Sequence, residues 1–132
     1  MPITKKTLEL EGSEKSYEIL NDGFIIAQAI DSIKAVPVGE PKLHEVTLTI
    51  SRSSDEDDPT FYNWIKKPTE TKNAAICFYE HDRLVRKSEF REAYLIRHRY
   101  DCSSPGTIIE VLEILPSEMI IEGESFKCRT KK

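Results

Sequence analysis

Alternating apolar and polar positions mark several short strands along this chain. The clearest alternation lies in residues 43–51, LHEVTLTIS, where Val46, Leu48 and Ile50 share one side and the residues between them share the other. Successive side chains of a β-strand point to opposite faces, so this pattern predicts a strand with one buried face.

A long hairpin is predicted for residues 74–101, and the other segments can be placed relative to it. Residues 74–79 are rich in β-branched and aromatic types and too few for a helix, and polar residues near Asp82 supply a turn. In the second arm, residues 90–100, periodicity alone leaves both strand and helix open. We favour a strand with a bulge near Glu92, because arginines alternate with other residues near its end.

The N-terminal third predicts a hairpin followed by an irregular region. Residues 4–10 and 16–20 alternate partially around a glycine-containing turn, and residues 21–23 predict a second turn. Residues 24–33 are an apolar run that suits a strand or a short buried helix. Residues 35–41 hold two prolines and a glycine, so we expect an extended excursion that forms no strand ladder.

One short helix is predicted at about residues 59–67. Asp58 suits the N-cap, and Pro59 suits the first helical position, where its missing N–H has no cost. Trp64 lies on the same face as Phe61 and is expected to anchor the core rather than to stack on a ligand. The aromatic residues expected in the core are Phe61, Trp64, Phe78, Phe90 and Tyr94.

The C-terminal part predicts further strands at residues 107–115, 119–121 and 125–128, separated by proline and glycine. The chain as a whole therefore predicts an all-β fold of seven or eight strands with one short helix. A sheet of this size must close or form a sandwich to avoid long open edges.

Size and composition indicate a single globular domain over residues 1–132. The sequence is 39% hydrophobic and 32% charged, and its net charge of -4 argues against a dedicated nucleic-acid binder. We expect no membrane insertion and no signal peptide, hence a cytoplasmic origin. Residues 54–58 hold four acids, whereas residues 83–99 hold six arginines and lysines and two glutamates. Such asymmetry could meet an opposite charge on a neighbour, although solvated faces are the commoner explanation.

Catalytic and metal-binding patterns give no positive indication of an enzyme. The pairs Cys77 with His81 and His98 with Cys102 carry ligand types that zinc accepts. If the hairpin turns near Asp82, however, His98 and Cys102 lie too far along the second strand for one zinc ion to contact them together with Cys77 and His81. We therefore expect no metal, no cofactor and no catalytic residues, and the three cysteines are expected to be reduced.

Five segments carry a family resemblance: VTLTIS, FYNWI, AAICFYEHD, EFREAYLIRHRYD and EVLEILPSEMIIEGESF. In combination and in this order they resemble the Hcp (TssD) family of type VI secretion tube proteins, particularly its Bacteroidetes branch. The resemblance spans roughly residues 8–126. It implies a small closed or nearly closed antiparallel β-barrel with a helix at its side, and it implies a strand within residues 24–33.

The resemblance also implies a mechanical activity. Family subunits form hexameric rings that stack into a tube inside a contractile sheath, and the tube is fired into a neighbouring cell. The implied partners are further copies of the chain, the sheath, the spike and baseplate proteins, and secreted effectors carried as cargo. Alternatives are the tube of a phage-tail-like or extracellular contractile injection particle, a small barrel that binds a hydrophobic ligand, and a degenerate enzyme domain.

Ring stacking is expected to use the segment before VTLTIS. Relatives carry a Gly/Arg-rich loop there that contacts neighbouring rings, whereas this chain has IKAVPVGEPKLHE. Apolar residues on a proline-stiffened segment lose little conformational entropy on binding. The alternative is that the segment covers its own barrel. The residues expected at the stacking contact are Ile33, Ala35, Val36, Pro37 and Val38.

Overall fold

A computed structural model describes residues 2–31, 33, 36–55 and 57–127, with side chains described outside 27–31, 36–41, 103 and 104. Ala35 and Cys128 lie outside the described residues. The elements in chain order are β1 Lys5–Leu10, β2 Ser16–Gly23, β3 Ile26–Asp31, β4 Val36–Leu43, β5 Val46–Ser53, α1 Thr60–Ile65, β6 Lys72–Glu80, β7 Arg83–Ser104, β8 Thr107–Leu115, β9 Glu118–Ile121 and β10 Glu124–Lys127.

Six antiparallel strands close into a barrel. The main sheet has the order β10-β9-β7-β6-β1-β2-β5-β8, and β7 pairs with β8 as well, so that β7, β6, β1, β2, β5 and β8 form a closed ring. The predicted all-β barrel with one short helix is confirmed. The described residues form ten strands rather than the seven or eight predicted, and the additional β3–β4 hairpin forms a separate two-stranded sheet.

The length of β7 makes the closure possible. Its first half pairs with β6, from Glu80 opposite Arg83 to Lys72 opposite Ala93, and its second half pairs with β8. A register shift falls near the end of the β6 ladder, between Phe90 and Ala93, where Glu92 has φ 47° and its N–H donates to Asn73 Oδ1 at 2.9 Å. The predicted strand, its bulge near Glu92 and the preceding turn near Asp82 are confirmed.

The barrel interior is filled by the inward residues of every strand and by the helix. On β5, Val46, Leu48 and Ile50 are fully buried, as the alternation predicted. Phe61 and Trp64 of α1 close one end of this core, and the Trp64 indole N–H donates to the Glu70 carbonyl at 3.1 Å. Phe90 is also buried, whereas Phe78 and Tyr94 are only partly buried. The Arg86 guanidinium lies 4.8 Å from the Phe78 ring centre and shields it from solvent.

The helix begins one residue later than predicted. Pro59 occupies the N-cap position and α1 runs only to Ile65, not to residue 67. Asp58 acts from the position before the cap: its Oδ1 accepts hydrogen bonds from the Thr60 backbone N–H at 3.2 Å and from the Thr60 hydroxyl at 2.6 Å. The carboxylate therefore still satisfies a donor at the start of the helix.

Two predictions in the N-terminal half are wrong. The turn expected at residues 21–23 lies inside β2, because a bulge at the exposed Leu20 lets pairing with β5 continue to Gly23. Residues 36–41 do form a ladder, since β4 pairs with β3 and Pro37 lies opposite Ile30. Each strand of a two-stranded sheet has an open edge, where a proline needs no ladder donor. The strand implied for residues 24–33 is confirmed by β3.

We predict that Trp64→Ala lowers the free energy of unfolding by about 3–5 kcal/mol, because a large buried side chain would be replaced by a cavity. Chemical denaturation followed by circular dichroism measures the change. Asn63→Ala, at an exposed position on the same helix, is the matched control and should leave the stability nearly unchanged. Equal stability of the two variants would contradict a core role for Trp64.

Candidate functional site

A fully buried glutamate lies near the end of the barrel that α1 covers. Glu110 points inward from β8 between Ile108 and Leu112, with 1% of its surface exposed. Its Oε1 accepts a hydrogen bond from Arg52 Nε of β5, and its Oε2 is hydrogen-bonded to His98 Nε2 of β7. A buried carboxylate is costly unless it is paired, so this cluster ties three adjacent strands together.

Arg52 supplies a permanent positive charge to the cluster. Burial opposes that charge, but the hydrogen bond and the charge of Glu110 raise the pKa of the Arg52 guanidinium above its ordinary value. This cluster was not predicted from the sequence. The inward phase of Ile108, Leu112 and Ile114 already placed Glu110 on the buried face, and that was the pattern that could have revealed it.

The helix packs on the cluster through aromatic rings. Phe61 stacks nearly parallel to the His98 ring at a centroid distance of 6.3 Å, and Tyr62 meets the same ring edge-on at 5.0 Å. The Tyr17 ring of β2 packs against Phe61 as well, at a centroid distance of 5.0 Å. These contacts fix the position of a helix that is too short to be stable alone.

Asp58 adds a second polar anchor for the same helix. Its Oδ2 accepts a hydrogen bond from the Tyr17 hydroxyl at 2.7 Å. Burial opposes ionisation of Asp58, but the hydrogen bonds from Thr60 and Tyr17 outweigh it and lower the pKa of the carboxyl. Burial and the nearby carboxylate raise the pKa of Tyr17, so its hydroxyl stays protonated and donates.

An open groove of 440 Å³ runs beside α1; we call it the α1 groove. Its apolar lining comes from Pro59 and Tyr62 on the helix side and from Tyr100 and Ile108 on the barrel side, and Asp57 lies at its rim. Tyr62 is 37% exposed and Tyr100 is 48% exposed. Ser54, Asp58 and Arg52, whose charge is paired with Glu110, also line the groove. The groove can therefore bind an apolar side chain next to charged groups.

The residues expected at the ring-stacking contact lie on the β3–β4 hairpin, except that Ala35 is outside the described residues. Ile33, at the turn of the hairpin, is 92% exposed, and the backbone of residues 36–38 forms the start of β4. The base of the hairpin is anchored, since Leu43 is buried in the core and the His44 N–H donates to the Ile25 carbonyl at 2.9 Å.

The basic residues along β7 are largely neutralised within the subunit. Among the six noted in the sequence, five form an ion pair with a glutamate, at distances from 2.8 to 3.9 Å. The pairs are Arg83–Glu80, Arg86–Glu122, Lys87–Glu9, Arg91–Glu118 and Arg97–Glu113. The acidic loop differs, because neither Asp55 nor Asp57 has an ion-pair partner in the described part of the chain.

The four residues weighed as zinc ligands are separated by the hairpin register. Cys77 lies opposite Lys87, and Cys102 is near the far end of β7. Residues 2–31, 33, 36–55 and 57–127 contain no group of three or more side chains suited to hold a metal ion. Neither Cys77, which is buried, nor Cys102, which is exposed, is in a disulfide within the described part of the chain.

The model of the family described as hemolysin coregulated protein Hcp (TssD) matches residues 4–129, nearly the whole chain. The chain belongs to this family. It is therefore an inner-tube subunit of a type VI secretion system, as the resemblance implied. No curated protein matches the chain significantly.

Solved structures share the fold at low sequence identity. Hcp1 from Flavobacterium johnsoniae is 20% identical, with a TM-score of 0.76 over 93% of this chain and 98% of that chain. Hcp1 from E. coli EAEC 042 is 12% identical, with a TM-score of 0.72 over 93% and 97%. The tube-terminating cap of the anti-feeding prophage is more distant, at 15% identity and a TM-score of 0.55 over 92% and 90%. None of the described helices is long and apolar enough to span a membrane.

We predict that Arg52→Met costs about 3–5 kcal/mol of stability, because it removes a charged partner of the buried Glu110. The exposed pair Arg97–Glu113 is the matched control, and Arg97→Met should cost less than about 1 kcal/mol. Guanidinium denaturation measures both. The double variant Arg52→Met/Glu110→Leu should lose less than the sum of its single changes. Strict additivity would contradict the coupling.

We predict that the two described thiols differ in reactivity and that the purified protein carries no stoichiometric zinc. Burial and the neighbouring Glu9 raise the pKa of Cys77 to about 11, so little thiolate forms at neutral pH. Iodoacetamide should modify the exposed Cys102 in the folded protein and Cys77 only after unfolding. Peptide mapping by mass spectrometry reads out both sites, and elemental analysis tests for zinc. Fast labelling of Cys77 in the folded state would show that its strand opens.

Proposed function

We propose that the protein builds its secretion tube from hexameric rings that stack inside a contractile sheath and are expelled with the tube. The family match over residues 4–129 is the observation that carries this proposal. The proposed partners are further copies of the chain, then the sheath, spike and baseplate proteins, and effectors carried as cargo. The tube is assembled in the cytoplasm and released outside the cell or into a target cell.

The described strand edges support ring formation. Although the six-stranded barrel is closed, β10 pairs on one side only, with β9, and β9 covers just residues 89–91 of β7. Residues 83–88 of β7 thus present an edge without a described partner strand on the side away from β6. Strand edges of this kind can pair with a neighbouring subunit, and a head-to-tail contact of this type closes into a ring when its rotation permits.

Ring stacking is proposed for the β3–β4 hairpin, at Ile33, Ala35, Val36, Pro37 and Val38. The exposure of Ile33 supports this role, because an isoleucine that is 92% exposed gains from burial against another surface. The pairing of β3 with β4 also supports it, since a hydrogen-bonded hairpin presents its turn with less loss of conformational entropy than a free loop would.

The protein acts without catalysis in this proposal. Its interior argues against the alternative of a ligand-binding barrel, because Leu8, Ile50, Phe61, Trp64 and Leu112 fill the space with buried side chains. The tube of a phage-tail-like or extracellular injection particle is the remaining alternative. Such a tube would use the same kind of assembly. The structure that represents it is less similar to this chain than the Hcp1 structures are.

We predict that the purified protein is a closed oligomer with six times the subunit mass of 15.2 kDa. Size-exclusion chromatography with light scattering measures the mass, and negative-stain electron microscopy shows whether the particles are rings. A monomer at tens of micromolar protein would contradict the proposed ring.

We predict that replacing residues 35–38 by a Gly/Ser segment leaves the rings intact but abolishes tube growth and secretion. The replacement removes apolar contact surface and the stiffness of Pro37 while it leaves the barrel core unchanged. A Gly/Ser replacement of residues 14–15, exposed in the turn between β1 and β2, is the matched control and should form tubes. If the rings themselves fall apart, the hairpin belongs to the contact within a ring.

A further inference from the structure

We propose that the turn of the β3–β4 hairpin, at Ile33, binds the α1 groove of a subunit in the adjacent ring. This inference rests on the proposed stacking role of the hairpin and adds the surface that receives it. The occupant of the groove is thus a second copy of this chain.

The hairpin and the groove lie at opposite ends of the same strand. The hairpin is inserted between the end of β2 at Gly23 and the start of β5 at Val46, whereas the loop to α1 begins where β5 ends, at Ser53. The eight residues of β5 span about 26 Å at roughly 3.3 Å per residue. In the proposed stack β5 runs along the stacking direction, so that subunits in the same orientation place the hairpin of one toward the groove of the next.

The groove is apolar where Ile33 would enter. Tyr62 and Tyr100 stand on opposite sides, each more than a third exposed, and Pro59 and Ile108 complete the apolar lining. Ile33 is the most exposed large hydrophobic residue in the described part of the chain, at 92%. Binding would cover apolar surface on both partners at once.

The sequence next to Ile33 carries a charge opposite to that of the acidic loop at the groove. Lys34 follows Ile33 in the sequence, whereas the acidic loop at the groove carries Asp55 and Asp57. Neither aspartate has an ion-pair partner among the residues that the structure describes, so their charges remain available to a neighbour. Complementary charges of this kind fix the register of a contact more than they raise its affinity.

The groove is also held in shape before any partner arrives. The Glu110 cluster fixes His98, against which Tyr62 packs, and Asp58 holds the start of α1 through Thr60 and Tyr17. A site whose walls are already ordered loses less entropy when it is filled. This provides a structural reason for placing a buried ion cluster directly beneath an exposed groove.

Disulfide trapping tests the contact. In a background with Cys102→Ser and Cys128→Ser, the pair Ile33→Cys and Tyr62→Cys should form a ladder of linked subunits when the assembled protein is oxidised. Tyr100→Cys on the other side of the groove is a second version of the test, in case the first substitution alters the fold. Each single-cysteine variant should give no ladder. The matched control combines Ile33→Cys with Leu84→Cys. Leu84 is an exposed residue of the β6–β7 hairpin, at the end of the barrel opposite the groove, so this pair should also give no ladder.

The outcomes separate this inference from the proposed function. The groove is not the receiving surface if tubes form but neither groove variant gives a ladder. The same holds if the Leu84 control gives one. In both cases the proposed tube function is unaffected. If the wild-type protein forms neither rings nor tubes, the proposed assembly fails and the inference fails with it. A ladder restricted to the groove variants supports both.

A charge exchange provides an independent measurement. Lys34→Glu and Asp57→Lys should each reduce the number and length of tubes seen by electron microscopy, and the combination should restore them, while ring mass stays unchanged throughout. Arg97→Glu, at an exposed residue on the side wall, is the control for an altered net charge. Failure of the combination to restore tube growth would contradict a contact between these two residues.

Discussion

Closure of the barrel depends on one strand that pairs with two partners in succession. β7 pairs with β6 through its first half and with β8 through its second half, and the bulge at Glu92 changes its register just before it leaves β6. Without that bulge, the side chains of β7 that face the core beside β6 and those that face the core beside β8 could not all point inward. Burial of Phe90 before the bulge and of Leu95 after it shows that both halves face the same core.

The end of the barrel near α1 combines two kinds of stabilisation. Phe61 and Trp64 supply buried apolar surface, while Glu110 with its partners supplies a paired charge that does not tolerate displacement. Apolar packing alone would allow the short helix to shift, because contacts of this kind are not directional. The hydrogen bonds of the cluster are directional. Together they give a short, weak helix a defined position on the barrel.

Sequence patterns predicted the fold well wherever a pattern reports on one strand alone. The alternation on β5, the bulge at Glu92 and the aromatic face of α1 could all be derived from the residues. The pairing of β4 could not, since proline removes a donor but the consequence depends on whether the strand has an open edge. The Glu110 cluster was missed for a related reason: its partners Arg52 and His98 come from other strands, and their approach depends on register.

The arginines of β7 are matched by glutamates on adjacent strands, so their electric field largely cancels at short range. This side of the barrel therefore exerts little long-range electrostatic attraction on an approaching subunit, and added salt changes that attraction little. Encounters between subunits then occur at rates set by diffusion and shape. In the proposed ring, protein concentration would therefore matter more than the salt content of the medium for association.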